Sequence, residues 1–299
     1  MILGKACRIC GCKTFRESVE PYISCTSCGH EYHKSKPSTK YIINDDLSSE
    51  NPDTTNSLDL FKSRVLKSSM ASHDVLVDIG SASGKFLYQN KKFFRKHLGI
   101  EITKESIDFS RKKLRLNIST TLNLKEKISV VTFWHSIEHI PIDKAEKLLR
   151  NIEKHSQKDT RLIISVPNSG SLMYNLFGKD WAYFDKSSHY NQFSRKSMDL
   201  LLKKYNFFPK RDFYSFSYTM FGYLQGFLNV FNGIHNFLYY YQKRGNDFSL
   251  GKFPILMLLI YNGLLSIIFF IPSLILSLFD LVFIRKAGVM TVCYSFNKL

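Results

Sequence analysis

The sequence predicts an α/β fold, a mostly parallel sheet covered by helices on both faces, and three observations predict it. Short Val- and Ile-rich runs (DVLVDIG from Asp74, HLGIEIT from His97, ISVVTFW from Ile128, RLIISVPN from Arg161) alternate with basic or amphipathic stretches of helical pattern. Buried strands alternating with helices mark a parallel sheet covered on both sides. The first run closes on Asp78-Ile79-Gly80-Ser81-Ala82-Ser83-Gly84, a strand-to-helix turn whose glycines let the backbone approach a ligand closely. The second run ends in Glu101, where a carboxylate can accept both hydroxyls of a ribose.

At 299 residues the chain is long enough for a catalytic domain plus appendages. Its 42 Lys and Arg against 25 Asp and Glu, a net charge of +17, favour an anionic neighbour: nucleic acid, a phosphorylated substrate or acidic lipid. The start, MILGKACRIC, lacks the apolar core and cleavage site of a secretory signal, so a reducing compartment is expected. Five of the six cysteines crowd into the head, residues 1–36, and in such a compartment crowding suggests metal before disulfides.

Cys7-Arg8-Ile9-Cys10 and Cys25-Thr26-Ser27-Cys28 form two CxxC knuckles, and four thiolates so spaced suit a structural, tetrahedral Zn2+ that substitutes for a core the head is too small to build. Cys12, His30 and His33 are alternative ligands, expected to be bystanders. Redox chemistry is the rival reading of CxxC, but no βαβ pattern surrounds the knuckles.

A polar linker, 37–57, follows. The body is expected over 58–214 and again over 285–299. In it, LNISTTLNL carries the third strand, and SRKSMDLLLKKYNF is a helix capped by Ser194 with Met198, Leu201, Leu202 and Tyr205 on one face. RDFYSFS is a further strand.

Over about residues 70 to 212 these blocks, in this order, resemble the class I S-adenosylmethionine (SAM)-dependent methyltransferases, in particular the small-molecule branch of ubiquinone-biosynthesis O-methyltransferases. VLVDIGSASGKFL is similar to their first motif, LGIEIT to the ribose-binding acidic motif and VVTFWHSIEHIP to the block around the fourth strand. RLIISVPN is similar to the fifth strand and its exit, and DKSSHYNQFSRKSMDLLLKKYNF to the family's H-x-x-x-FS block.

The resemblance implies a Rossmann-like methyltransferase sheet. It also implies that Asp78 and the Gly80, Ser81, Ala82 and Gly84 backbone hold the methionine portion of the cofactor, that Glu101 holds the ribose, and that Trp134 and His135 border the cofactor and the acceptor. Ala82 replaces a glycine many relatives carry, and Ser129 stands where they often have Asp. The head resembles a zinc ribbon found ahead of some sugar and natural-product methyltransferases.

Methyl transfer is a displacement at a carbon on a sulfonium, so the protein must chiefly align acceptor and methyl group. A base is needed only where the acceptor loses a proton. His189, His135 and His139 are the candidates, with His189 the favoured one and Glu138 a residue that positions the loop.

The stretch 215–284 is an apolar insertion before the last strand. Phe213 to Gln242 contains no Asp, Glu, Lys or Arg, and FPILMLLIYNGLLSIIFFIPSLILSLFDLVFI exceeds the roughly 20 apolar residues that cross a hydrocarbon core. By the resemblance, RDFYSFS and GVMTVCYSFN form the sheet's final antiparallel hairpin, so both ends of the insert share one side of the membrane and a single net crossing is excluded. Pro272 is expected to break the run, and the basic flanks favour an element lying in one anionic leaflet over two spans.

The expected function is SAM-dependent methyl transfer to a small-molecule acceptor, lipid-linked or membrane-associated (a glycan intermediate, a quinone-like molecule or a lipid head group), at the cytoplasmic face of a membrane. Two other readings stand beside it: an RNA methyltransferase binding through the ribbon, although no Asn-Pro-Pro-Tyr type block is present, and a non-catalytic cofactor-binding scaffold.

Overall fold

From the N-terminus, a computed structural model, which describes residues 6–37, 51–244 and 250–298, opens on three short antiparallel strands: β1 (Phe15–Glu17), β2 (Tyr22–Cys25) and β3 (Glu31–His33). Most of the expected linker, and the first five residues of the head, lie outside the described residues. The chain resumes before α1 (Ser57–Ser69), whose start is fixed by a capping box: the Asn56 side chain accepts from the Leu58 and Asp59 N–H groups, and Asp59 accepts from Asn56 N–H.

The body follows as β4 (Val75–Ile79), α2 (Lys85–Asn90), β5 (Lys96–Ile100), α3 (Lys104–Lys112), β6 (Ile118–Ser119), β7 (Val130–Trp134), α4 (Ile142–His155) and β8 (Arg161–Pro167). Residues of β4, β7 and β8 are buried throughout, as continuous apolar strands between two helical layers must be. On α4 the positions Ile142, Ala145, Leu149 and Ile152 are buried, one stripe at helical spacing facing the sheet.

Next come α5 (Leu172–Phe177), β9 (Asn191–Gln192), α6 (Arg195–Lys203), β10 (Phe207–Phe213), the insert helices α7 (Phe216–Phe231), α8 (Phe237–Arg244) and α9 (Lys252–Phe279), and finally β11 (Val289–Phe296). The main sheet has the order β10-β11-β8-β7-β4-β5-β6, parallel from β6 through β8, with β11 antiparallel to both its neighbours. The expected final hairpin is therefore present, with the helical insert between its strands.

Three differences from the sequence expectations have local causes. Ser194 does cap α6, but the helix stops at Lys203, because Asn206 turns through a left-handed conformation (φ 61°). Phe207 then enters the sheet against Phe296 (ring centroids 5.3 Å), so β10 starts there rather than at Arg211, and Ser215 already caps α7. Pro272 does not break the apolar run: α9 passes through it and continues as one turn of π-helix over Asp280–Ile284. The expected short broken helices are replaced by one helix of 33 residues.

The head is not a module apart. β3 pairs antiparallel with β9, Glu31 opposite Gln192 and Tyr32 opposite Asn191, so the head's sheet is completed by a strand of the body.

α7 lies between the body and α9. Gly222 and Gly226 let it approach α5, since a Cβ there would stand 2.6 Å from Met173 Sδ and from the Phe177 ring respectively. On its other side Phe227 stacks on Phe269 of α9 (4.7 Å), and Asn232 donates to Asn262 Oδ1 (2.7 Å).

Candidate active site

The C-terminal ends of β4, β5 and β7 meet at the glycine turn. Gly80 (φ 72°) and Gly84 (φ 82°) occupy the left-handed region, and a Cβ on Gly80 would stand 2.5 Å from Ser136 Cβ, so the tight turn requires glycine there. Ala82 is also left-handed (φ 46°), a conformation that costs a side-chain-bearing residue about 1–2 kcal/mol. The Gly80 and Ser81 N–H groups donate to Ile100 O, and Ala82 N–H donates to Glu101 Oε2 (2.9 Å). Glu101 Oε1 accepts from the N–H groups of Ile102 (2.7 Å) and Thr103 (2.9 Å). The carboxylate is thus held by three backbone donors, with lone-pair capacity left on Oε2.

Asp78 is buried under the turn and accepts the Thr132 hydroxyl (2.6 Å). Burial pushes its carboxyl up to about 6, with Thr132 and Lys62 opposing the shift. Trp134 closes the cofactor side, packed edge-on against Phe86 (5.2 Å), with Lys62 Nζ 5.7 Å from its ring centroid.

His135 leaves β7 in a left-handed conformation (φ 53°), its N–H bonded to Ser165 O and its Nε2 3.2 Å from the Tyr218 hydroxyl of α7. A short turn, Ile137–His139, then carries Glu138 inward. Its carboxylate is 2% exposed and has no hydrogen-bond partner; His135 Nδ1 stands 3.6 Å away. Burial pushes Glu138 up, but His135, His139 and His189 together outweigh it and hold it below its ordinary value.

The His139 and His189 rings meet edge to face at 4.6 Å. Burial, reinforced by His139, brings His189 down to about 4, so its ring is neutral at neutral pH.

The structure therefore brings Asp78, the turn, Glu101, Trp134 and His135 together, and beside them sets His139 and His189 around Glu138. Sequence reasoning missed two residues here. Tyr218 lies in the insert, which reads as membrane-contacting throughout. Lys62 lies in a helix before the first recognisable block. Glu138, expected to position the loop, is in addition almost fully buried.

The head contributes from outside. The Tyr22 hydroxyl donates to His189 O (3.0 Å), His33 N–H to Tyr190 O (3.1 Å) and the Ser194 hydroxyl to Cys28 O (2.9 Å). In the head itself, Cys7, Cys10, Cys25 and Cys28 gather their sulfurs within 4.8 Å, Cys7 to Cys28 at 3.7 Å and Cys10 to Cys25 at 3.5 Å. Each knuckle closes on a left-handed glycine, Gly11 or Gly29, whose N–H returns to the first cysteine's carbonyl. His30 bonds Asn191 (3.2 Å) and Cys12 bonds Thr14 (3.1 Å), both outside the cluster.

A seven-stranded sheet with a glycine turn after its first parallel strand and an acid after its second is the architecture of a class I SAM-dependent methyltransferase. The chain belongs to the methyltransferase-domain family, whose profile matches residues 55–208. It is similar to a solved S-adenosylmethionine-dependent methyltransferase from Clostridium acetobutylicum ATCC 824 (8% identity, 82% of this chain and 93% of that one, TM-score 0.48). It is also similar to a SAM-dependent methyltransferase from Archaeoglobus fulgidus (15% identity, 79% and 93% coverage, TM-score 0.45). No curated protein matches the chain.

The residues fit the cofactor. Ser81 Oγ and Trp134 Nε1, on two sides of the turn, are buried polar atoms without a protein partner, as expected where a polar ligand completes the pocket.

Proposed function

We propose that this methyltransferase acts on a lipid-linked or membrane-dissolved small molecule at the cytoplasmic face of a membrane. The observation that carries this reading is the insert. Its first helix sets Tyr218 against His135, and its last, α9, turns a broad apolar face outward, with Ile260, Leu264, Ile267, Ile271, Ile275 and Phe283 all exposed. One fold element thus joins the acceptor side of the site to a surface suited to lipid.

Geometry favours α9 lying in one leaflet. At 1.5 Å per residue its 33 residues run about 50 Å, whereas α7, at about 24 Å, is shorter than the roughly 30 Å of a hydrocarbon core. α7 is also packed against α5, and among the described residues α9 is the one helix long and apolar enough to span. At the base of α9 a cavity of about 690 Å³ is lined by Lys196, Arg285 and Lys286 and by Arg195, which Asp199 and Asp212 hold, so the lining stays net basic, a place for the anionic head group of a lipid or a lipid-linked acceptor.

In this reading Asp78 and the Gly80, Ser81, Ala82 and Gly84 backbone hold the methionine portion of the cofactor. Glu101 takes the ribose through Oε2, exchanging one of the backbone bonds on Oε1 for the second hydroxyl. The cofactor supplies an electrophilic methyl group on sulfur. Trp134 and Tyr218 shape the space beside it, and the imidazoles of His135, His139 and His189 surround the acceptor and take its proton.

The head holds a structural Zn2+ through Cys7, Cys10, Cys25 and Cys28. Sulfurs 2.3 Å from a tetrahedral zinc lie about 3.8 Å apart, close to the 3.5 and 3.7 Å separations found. The division into head 1–36, linker 37–57, body 58–214 with 285–299, and insert 215–284 belongs to the same reading.

Purified protein incubated with labelled cofactor and membranes from its own cells is expected to place label in the organic-solvent extract. Label confined to RNA, or no transfer despite cofactor binding, overturns the proposal.

A further inference from the structure

At the base of α9 the chain passes from apolar to basic within a few residues. Val282 and Phe283 are exposed on the closing π-turn, and Arg285 and Lys286 follow to line the cavity of about 690 Å³. On a helix seated in one leaflet, that boundary falls at the depth of the lipid phosphates.

A buried carboxylate sets the two cations in place. Asp280 is fully buried; its carbonyl accepts the Arg285 N–H (2.6 Å), its Oδ1 the Lys286 N–H (3.2 Å) and its Oδ2 the Tyr223 hydroxyl (3.2 Å). Arg285 is left-handed there (φ 52°), and its own carbonyl accepts from the Tyr214 hydroxyl (3.2 Å).

Among the described residues neither the Arg285 nor the Lys286 side chain forms an ion pair. Arg195 of the same lining is held by Asp199 and Asp212, and Lys196 gives one donor to Ser27 O (2.6 Å). Two unmatched cations at the mouth of a concave space suit a phosphate, whose oxygens accept several charge-assisted hydrogen bonds at once.

The cavity also borders the proposed acceptor side by two routes. Asn168, in its lining, follows Ser165 by three residues, and Ser165 O accepts the His135 N–H; extended chain covers that step in about 10 Å. Tyr214, also in the lining, stands four residues before Tyr218, whose hydroxyl meets His135 Nε2 (3.2 Å).

We propose that the acceptor is a membrane lipid whose phosphate or diphosphate carries a sugar. The phosphate sits on Arg285 and Lys286, the lipid chain runs along α9, and a sugar hydroxyl reaches His135. The inference rests on the reading of a membrane-seated methyltransferase and names its acceptor. A quinone-like acceptor carries no anion to answer the two cations, and a glycerol, serine or ethanolamine head group ends short of His135. A phosphate bearing one or two sugars matches a space of this size, which is ordinary for a small-molecule site. The product is a methyl ether: the hydroxyl oxygen bonds the methyl carbon, its proton passes to His135, and the C–S electron pair leaves with sulfur, which becomes a neutral thioether.

Two measurements test this. In the first, the full chain in non-ionic detergent is titrated calorimetrically with farnesyl diphosphate, farnesol and inorganic phosphate. The diphosphate is expected to bind at least about tenfold tighter than farnesol, and about tenfold weaker in the double variant Arg285→Gln, Lys286→Gln, which loses the charge-assisted hydrogen bonds. A Tm rise with S-adenosylhomocysteine shows that this variant is folded. Equal binding of diphosphate and farnesol, or undiminished binding in the double variant, overturns the phosphate site. Inorganic phosphate that binds as tightly as farnesyl diphosphate assigns the cavity to a free anion and overturns the lipid.

In the second, membranes from the protein's own cells are labelled with the cofactor, and the organic extract is treated with mild acid, which cleaves an anomeric phosphate ester and spares a methyl ether. Label is expected to move into water. Label that stays in the organic phase overturns the sugar-phosphate acceptor. So does an extract without label; a Tm rise of the wild type with S-adenosylhomocysteine then leaves the methyltransferase reading standing, and its absence sinks both.

Discussion

At the residue scale, Asp78 shows how burial sets a pH dependence. Its folded carboxyl is pushed up to about 6 by burial, above the ordinary value near 4, with Glu101 adding to the shift and Thr132 and Lys62 opposing it. The folded state therefore holds this proton more tightly than the unfolded chain. The stability Asp78 contributes is full below about pH 4 and is lost as pH rises through about 6.

Asp78→Asn keeps an oxygen for the Thr132 hydroxyl and removes the charge. Its Tm is expected to exceed that of the native protein by a few degrees at pH 8, with the gap closing toward pH 4. The Tm rise produced by S-adenosylhomocysteine should shrink, because the carboxylate faces the cofactor's ammonium in the proposed pose. A thermal scan from pH 4 to 8, with and without ligand, checks both. A variant no more stable than wild type at pH 8 shows that the buried charge is not the cost it is taken to be.

This residue, like Gly80, Glu101, Trp134 and His135, was legible in the sequence because strand ends and glycine turns have a local grammar. Tyr218 was not, because its role comes from α7 crossing onto the site, a contact between positions 83 residues apart.

At the element scale, the strand-helix alternation was readable from apolar periodicity, and the final hairpin from the family resemblance. The union of head and body was not: β3 and β9 are two or three residues long, too short to carry a pattern, and they pair Glu31 with Gln192 and Tyr32 with Asn191, positions far apart in the chain. Pro272 misled for a different reason. A proline forfeits one helical hydrogen bond, but a long helix held along one face by Asn262, Phe269 and Ser277 against α7 survives that loss.

The β3–β9 junction makes the head a brace for His189. Cys25→Ser, which opens the proposed zinc site, is expected to lower kcat more than about tenfold, while S-adenosylhomocysteine still raises Tm, since the glycine turn lies on other strands. Exchange of the Tyr190 to Gln192 amides should speed up in parallel. Unchanged exchange there, in a variant shown to lack zinc, would mean that the head does not hold the loop.

At the scale of the whole molecule, the proposed seat of the enzyme on a membrane rests on the outward face of α9 and the basic rim at its base. Ile267 is 74% exposed and Ile271 56%, so neither contributes to the interior. Replacing both by Glu therefore leaves folding intact and puts two negative charges where lipid is proposed to sit. The double variant is expected to keep its Tm and its cofactor-induced shift, yet to stop co-floating with vesicles containing acidic phospholipid.

Salt separates the two forces involved. If charge alone held the protein to the vesicle, about 0.5 M salt would release wild type as well, since exposed charges are screened within a few ångströms there. Retention of wild type at that salt, with loss of the double variant at low salt, assigns the attachment to the apolar face of α9. Transfer to a lipid-embedded acceptor should fall with flotation, while transfer to the same acceptor dissolved in detergent should not. Equal flotation of both proteins would detach the insert from the membrane and leave its apolar face to another partner.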